Sequence, residues 1–277
     1  MKSLIEIFDT CANREGYTTV TVEKEKFKRY EVDYKFEEDE DKHVLYIYFE
    51  PSDGRTDWIV NFSYWRQAYD SMKVPYRAHG GFLESWKIVH DAIVKKVTEK
   101  GFDGDYKWQH VIISGYSHGG ALAVLCHECV WFEREDLRDT KYGIIGLSFD
   151  GPRVYGGLYI KPELKERWRN FYVIRNHNDI VTHLPPLLFF FRHVGKVVKI
   201  GVGQNPGLIG AHYPERIREG LEDFIEHGEM TIKEQITSLL EGVEKVTGTV
   251  KDVIDRNSDL TDVAEKIIEQ VKDKIEN

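Results

Sequence analysis

Cysteine is scarce in this chain, at three of 277 residues, which excludes a small scaffold stapled by disulfides. Two of the three fall in Cys126-His127-Glu128-Cys129 without a second Cys/His pair at zinc-finger spacing. Helix packing is their expected role, no metal site is expected, and a reducing compartment is the default. A cationic excess is missing too. Asp and Glu number 47 against 38 Lys and Arg, a formal net charge of -9, which argues against electrostatic capture of nucleic acid or of an anionic membrane surface. Neutral or apolar substrates fit better. Long apolar runs are also absent. The start, Met1-Lys2-Ser3-Leu4-Ile5-Glu6, meets charge too early for the apolar core of a signal peptide, and no later stretch is long and apolar enough to span a bilayer. The expectation is a soluble, cytoplasmic protein with no stable membrane insertion. No internal repeat or low-complexity segment is evident.

What is present is enough chain for a substantial core, patterned as alternating strands and helices. A helix over about the first dozen residues precedes strand-like runs at Thr18–Val22 and Tyr30–Tyr34. The acidic run Glu37–Asp41 reads as a solvated hairpin tip, and His43–Phe49 as a buried strand. Glu84–Glu99 has helical spacing at Ile88, Ala92, Ile93 and Val97. The runs 111–114, 144–149 and 170–174 then give the repeated β-α order of a mostly parallel sheet. From about Thr231 a long amphipathic pattern begins at Ile232, Ile236, Leu239, Leu240 and Val243, and a further helix is expected over Leu260–Ile275. The acidic balance of these helices favours packing on the domain, or against a second copy, over lying on a membrane.

The most specific feature is Val111-Ile112-Ile113-Ser114-Gly115-Tyr116-Ser117-His118-Gly119-Gly120-Ala121-Leu122-Ala123. It is a strand running through Gly-x-Ser-x-Gly into a small-residue helix, the pattern of a nucleophile elbow. Ser117 is the candidate nucleophile. Gly115 and Gly119 are required because a Cβ at either would strike the neighbouring strand or helix. The N–H of His118, at the positive end of the following helix, is an expected oxyanion donor. On such sheets the acid and the histidine follow the serine, each after a later strand. Asp179, after the strand ending at Ile174, is the candidate acid, and Asp150, beside Gly151-Pro152, competes with it but reads better as a turn or cap residue. His212, after the last strand and a glycine-rich loop, is the candidate base. His177 and His183 are rivals that fall early in the expected order, while His79 and His118 are expected to line or buttress the site. A second oxyanion donor has to come from a loop after an earlier strand, and Ser52 in Phe49-Glu50-Pro51-Ser52 is placed for it.

These pieces together resemble the class 3, or fungal-type, lipases of the α/β-hydrolase superfamily over roughly residues 40 to 227. That family's Phe-Arg-Gly-Thr with a following Asp-Trp looks like Phe49-Glu50-Pro51-Ser52 with Asp57-Trp58, and its His-x-Gly-Phe like His79-Gly80-Gly81-Phe82. Its elbow matches Gly115–Ala123, and its Phe-Gly-x-Pro-Arg-Val matches Phe149-Asp150-Gly151-Pro152-Arg153-Val154. Its Asp-x-Val loop with Leu-Pro matches Asp179-Ile180-Val181 and Leu184-Pro185, and its His-Val-Gly matches His193-Val194-Gly195. The resemblance implies a triad of Ser117, Asp179 and His212, with Ser52 at the family's oxyanion position. Departures are Glu50-Pro51 for Arg-Gly, His118 for leucine, and a short aromatic segment, Ser63–Met72, where the lid would be.

The expected architecture is therefore an α/β-hydrolase fold, a mostly parallel sheet flanked by helices, over residues 1–228, with a helical extension over 229–277. The expected activity is a serine esterase or lipase acting on lipid or small esters through an acyl-enzyme, with no cofactor. Trp65, His79, Leu187, Leu188 and Phe189 are the expected substrate contacts, the last three as an acyl wall or as core. A catalytically silent hydrolase-like module that binds lipid or protein is the alternative, and an acyltransferase or peptidase on the same site a third. A homo-oligomer through the C-terminal helices is allowed; no nucleic-acid partner is expected.

Overall fold

Strands buried on both faces carry apolar residues at nearly every position, and successive side chains feed opposite layers. The computed structural model, which describes residues 2–13, 15–24, 28–50, 66–68, 77–157, 165–202, 207–228 and 232–243, follows that rule. In β3 (Val44–Phe49) every residue is buried: Leu45, Ile47 and Phe49 enter one core, while Val44, Tyr46 and Tyr48 enter the other. In β6 (His110–Tyr116), Val111 and Ile113 serve the first and Ile112 and Tyr116 the second. A one-residue slip would exchange these faces, so the register is strongly fixed.

The main sheet has seven strands. β1 (Thr18–Lys24), β2 (Lys28–Asp39) and β3 form an antiparallel meander at one edge. β6, β7 (Ile144–Phe149), β9 (Phe171–Asn176) and β11 (Lys196–Ile200) continue from β3 in parallel, in that order. A second, antiparallel sheet is built from the short strands β4 (Arg66–Ala68), β5 (Arg77–His79), β8 (Tyr155–Gly156) and β10 (Phe191–Arg192), in the order β10-β8-β5-β4. All four C-terminal strand ends of the parallel run from β6 onward lead into loops on one edge, where ligands of such sheets sit.

Helices cover both faces. On one lie α2 (Gly80–Val97) and α3 (His118–Glu133). The buried stripe of α2 runs Phe82, Trp86, Val89, Ile93 and Val97, so the spacing expected from Ile88 and Ala92 marks its margin and not its centre. α3 is buried from Gly119 to Val130, which demands small and apolar residues all round. Cys126 and Cys129 pack in this core as free thiols. Its buried Glu128 is compensated by Arg167, 2.6 Å away, and by the hydroxyl of Tyr155.

The opposite face carries α1 (Leu4–Ala12) and α5 (Pro214–His227). α1 starts with a capping box, in which Ser3 Oγ accepts from the Glu6 N–H and the Glu6 carboxylate accepts from the Ser3 N–H. It then buries Leu4, Ile7, Phe8 and Cys11, with the Phe8 ring against Tyr116 and Phe149 at centroid distances of 5.8 and 5.1 Å. That contact supports the strand leading to Ser117 from below. Residues 232–243 are helical, and Ile236, Leu239, Leu240 and Val243 join this same core; the rest of the expected C-terminal extension lies outside the described residues. No described helix is long and apolar enough to cross a membrane.

The acidic run differs from expectation. Glu37, Glu38 and Asp39 are still strand β2, paired in register with Tyr46, Leu45 and Val44. Their charge is met by Lys35 of the same strand, 2.9 Å from Glu37, and by cations from elsewhere in the chain: Lys2 on Glu37, and Lys96 and Lys107 on Glu38 at 2.6 and 3.3 Å. Lysines distant in sequence let an acidic run stay in the sheet.

Candidate active site

The turn from β6 into α3 is where backbone sterics place Ser117. Its φ and ψ of 58° and -122° are costly for a residue with a side chain, and its N–H donates to the carbonyl of Phe149 at 2.9 Å. A Cβ on Gly115 would fall on the Gly119 carbonyl, and one on Gly119 would fall on the carbonyl of Phe49 at the end of β3. The sharp reversal thus exists only because both positions are glycine. The first N–H groups of α3, starting with His118, have no preceding carbonyl in the helix and point to the same side as the helix dipole's positive end. The His118 ring, half-buried, lies 5.6 Å from that of Phe82, and burial lowers its pKa to about 4, so it is neutral at pH 7.

The structure brings Ser117, His212 and Asp179 together. His212 Nε2 is 2.7 Å from Ser117 Oγ, and His212 Nδ1 is 2.6 Å from Asp179 Oδ2. All three are buried, at 2, 8 and 0% exposure for Ser117, His212 and Asp179. With Nδ1–H donating to the carboxylate, Nε2 is left free to accept the serine proton. Asp179 follows β9; its Oδ1 accepts from the Val181 N–H at 2.9 Å, and its carbonyl accepts from Thr182 Oγ1 at 2.9 Å. His212 follows α4 (Gly207–Gly210), and its carbonyl accepts from the hydroxyl of Tyr116, one residue before Ser117.

Several positioning groups were not legible in the sequence. Asn176 Nδ2 donates to the Ala211 carbonyl at 2.8 Å, tying the end of β9 to the histidine loop. Arg153, 6% exposed, donates through one nitrogen to the carbonyls of His183 and Pro185 at 2.5 and 2.9 Å, and so holds the far end of the acid loop. His183 itself faces Arg175 at 2.7 Å, and His177 does not join the Ser117–His212–Asp179 chain. Asp150 is corrected most clearly. It is neither a surface turn nor a helix cap but fully buried, with a left-handed φ of 45°. Its Oδ1 accepts from the Asn176 N–H at 2.5 Å, and one carboxylate oxygen lies within 4.8 Å of both Asp179 and His212. An aspartate just ahead of Gly151-Pro152 gave no hint of this, because its partners lie far along the chain.

His79 is buried, with its ring 4.5 Å from Phe82 and 5.6 Å from Phe191. Leu187, Leu188 and Phe189 form a 3-10 turn in which none is buried, with exposures of 56, 79 and 42%. They are not core; after the left-handed Phe190 it is Phe191 that turns inward. Leu208 and Ile209, on the turn preceding His212, are also exposed. The Leu208 carbonyl accepts from the Ile180 N–H at 3.1 Å, so this apolar turn borders the acid loop. Ser52 and Trp65 lie outside the described residues, as does all of segment 63–72 except 66–68.

The model of the class 3 lipases matches residues 46–189, from β3 through the elbow and the acid loop. The chain belongs to that family. This class 3 lipase-family chain is 28% identical over 155 residues to a lipase of Rhizomucor miehei, covering 55% of this chain and 40% of that protein. It is 27% identical over 138 residues to the secreted mono- and diacylglycerol lipase 1 of Fusarium solani, covering 50% and 38%. The family member thus spans about 40% of the length of these curated relatives. Among solved structures, the Rhizomucor miehei lipase propeptide complex superposes with a TM-score of 0.51 at 22% identity, over 72% of this chain and 66% of that one, which establishes the shared α/β-hydrolase fold. The expected cytoplasmic location is overturned by these relatives, one named as secreted and one solved with its propeptide. The physical grounds for it do not carry the inference: buried free thiols show that the fold stands without disulfides, not where it works.

Proposed function

We propose that this class 3 lipase-family chain hydrolyses carboxylic esters of lipids through an acyl-enzyme. The observation that carries the reading is the continuous Ser117–His212–Asp179 hydrogen-bond chain at 2.7 and 2.6 Å, with the serine held on an elbow at a helix N-terminus. Ser117 Oγ attacks the ester carbonyl as His212 Nε2 takes its proton, and Asp179 stabilises the imidazolium that forms. The carbonyl oxygen becomes an oxyanion that accepts from the His118 N–H and from a second donor, assigned to Ser52. Collapse of this intermediate breaks the bond to the alcohol, which leaves with the proton returned by His212. Water, deprotonated by His212, then attacks the acyl-enzyme, and the acid departs as Ser117 regains its proton. No metal takes part in these steps.

Leu187, Leu188 and Phe189, with Leu208 and Ile209, are proposed as an apolar rim for the acyl chain. Their exposure is what a hydrocarbon ligand would relieve, at roughly 25 cal/mol for each Å² covered. By the naming of the Fusarium relative, the place of action is proposed to be outside the cell. We further propose that residues 1–228 form the catalytic unit and that the helices after it buttress the α1 and α5 face.

Turnover of a p-nitrophenyl ester series from short to long acyl chains, measured for wild type, Ser117→Ala and His212→Ala, tests this reading. Wild-type hydrolysis that disappears in both variants is the expected result. A folded wild-type protein that turns over no ester, and whose Ser117 is not labelled by a fluorophosphonate, would overturn it.

A further inference from the structure

One buried acid at the site has no part in the steps above. Asp150 is completely buried at the end of β7, on a left-handed backbone that glycine would adopt at no cost. It occupies the place where the motif it resembles carries glycine, so a side chain is kept where backbone geometry disfavours one. Its two oxygens are used unequally. Oδ1 accepts the Asn176 N–H, whereas among the described residues no donor reaches Oδ2. An ionised carboxylate offers only acceptors, and one left unpaired in the interior is strongly unfavourable. Yet its neighbour within 4.8 Å is another carboxylate, Asp179, whose own oxygens already accept from Val181 N–H and His212 Nδ1–H. Two facing carboxylates become compatible when one of them keeps its proton.

We infer that Asp150 is a positioning residue for the catalytic acid, standing as a neutral carboxylic acid whose O–H donates to the Asp179 carboxylate. The site is then a four-membered chain, Asp150–Asp179–His212–Ser117, with a single negative charge on its acid pair. Burial first, and then the charge of Asp179, push Asp150 well above the usual carboxylate range, while the Asn176 N–H and the more distant Arg175 pull the other way. The titratable and charged groups facing it are Asp179, His212 and Arg175. A donor on Asp179 does two things. It fixes the carboxylate's rotation, and so the aim of Oδ2 at the imidazole. It also draws charge from the carboxylate that faces the imidazole; without that donor the full charge of Asp179 stabilises the imidazolium more.

This inference rests on the hydrolase reading for its kinetic consequences, but it has a readout that needs no substrate. Asp150→Asn preserves a neutral donor, and Asp150→Gly removes it while suiting the backbone. The low-field proton resonance of His212 Nδ1–H, followed through a pH titration, reports the hydrogen bond to Asp179 directly. The expected result is a resonance and a midpoint in Asp150→Asn close to wild type, and an upfield-shifted resonance with a raised midpoint in Asp150→Gly. With an ester substrate, kcat of Asp150→Gly falls about tenfold with KM little changed, its acid limb moves up in pH, and asparagine restores activity to within about threefold of wild type. A glycine variant with wild-type resonance, midpoint and acid limb would overturn the assignment, as would an asparagine variant impaired as far as the glycine one. Should Asp150→Gly not fold, the asparagine variant decides alone by keeping or losing the wild-type midpoint. Failure of wild-type protein to turn over any ester sinks the hydrolase reading, whereas the resonance still decides the role of Asp150.

Discussion

On the elbow side of the site, Ser117 is held by exclusion: glycines at 115 and 119 leave no room for any other path, and the backbone of β3 closes the space behind them. On the opposite side, Asp179 and His212 are held by attraction, through hydrogen bonds from Val181, Thr182 and Tyr116, and through loops tied by Asn176 and Arg153. The first arrangement is stiff and intolerant of any added atom. The second is a set of separable links, each removable with a graded loss. Damage to the elbow is therefore a folding problem, and damage to the acid side a catalytic one.

The sharpest way to break the comparison is Gly119→Ala. The added methyl meets backbone and not a movable side chain, so no soluble folded protein is expected, as read by yield and circular dichroism. Normal folding of this variant would show that the elbow can yield. Asp179→Asn strikes the other side: kcat should fall about 10⁴-fold, because the imidazole loses its orienting acceptor, while a cooperative thermal transition persists. Arg153→Ala leaves two loop carbonyls without their donor. A loss of about 10- to 100-fold in kcat/KM is expected, together with a lower melting temperature.

The smallest effect lies outside the site. His127 is buried with Nε2–H donating to the Arg167 carbonyl at 2.8 Å, and burial lowers its pKa to about 4. Between pH 6.5 and 4 the unfolded chain binds a proton there that the folded protein does not, so stability rises with pH and is lost on acidification. The loss is at most about 3 kcal/mol, complete below pH 4. Chemical denaturation of His127→Gln, which keeps a donor but cannot charge, should show a shallower decline over that window. An unchanged decline would assign the acid sensitivity to other groups.

The elbow could be read because its cause is local: five consecutive residues carry the steric requirement, and the apolar runs 111–114 and 144–149 carry the sheet. Asp179 and His212 could be read from chain order, since each follows a strand of one sheet. Asp150 could not, because a turn residue and a buried acid look alike until a partner 29 positions away faces it. Leu187–Phe189 reads as wall or core from hydrophobicity alone, yet chain direction at Phe190 sends only Phe191 inward. The acidic run misled for a related reason: counter-charges reach it from Lys2, Lys96 and Lys107, on three different segments.

The three thiols have a use as reporters. Cys11 sits in the layer formed with α1 and α5, whereas Cys126 and Cys129 sit in the layer formed with α2 and α3. Each is buried, and burial raises Cys11 to a pKa of about 12 and the other two as well, so native protein presents no thiolate to an alkylating reagent. Modification must wait for the protein to open. Because the two sets belong to opposite sides of the sheet, mass spectrometry of the alkylated peptides gives two independent clocks, one for each layer, and tells whether the layers come apart together or in turn.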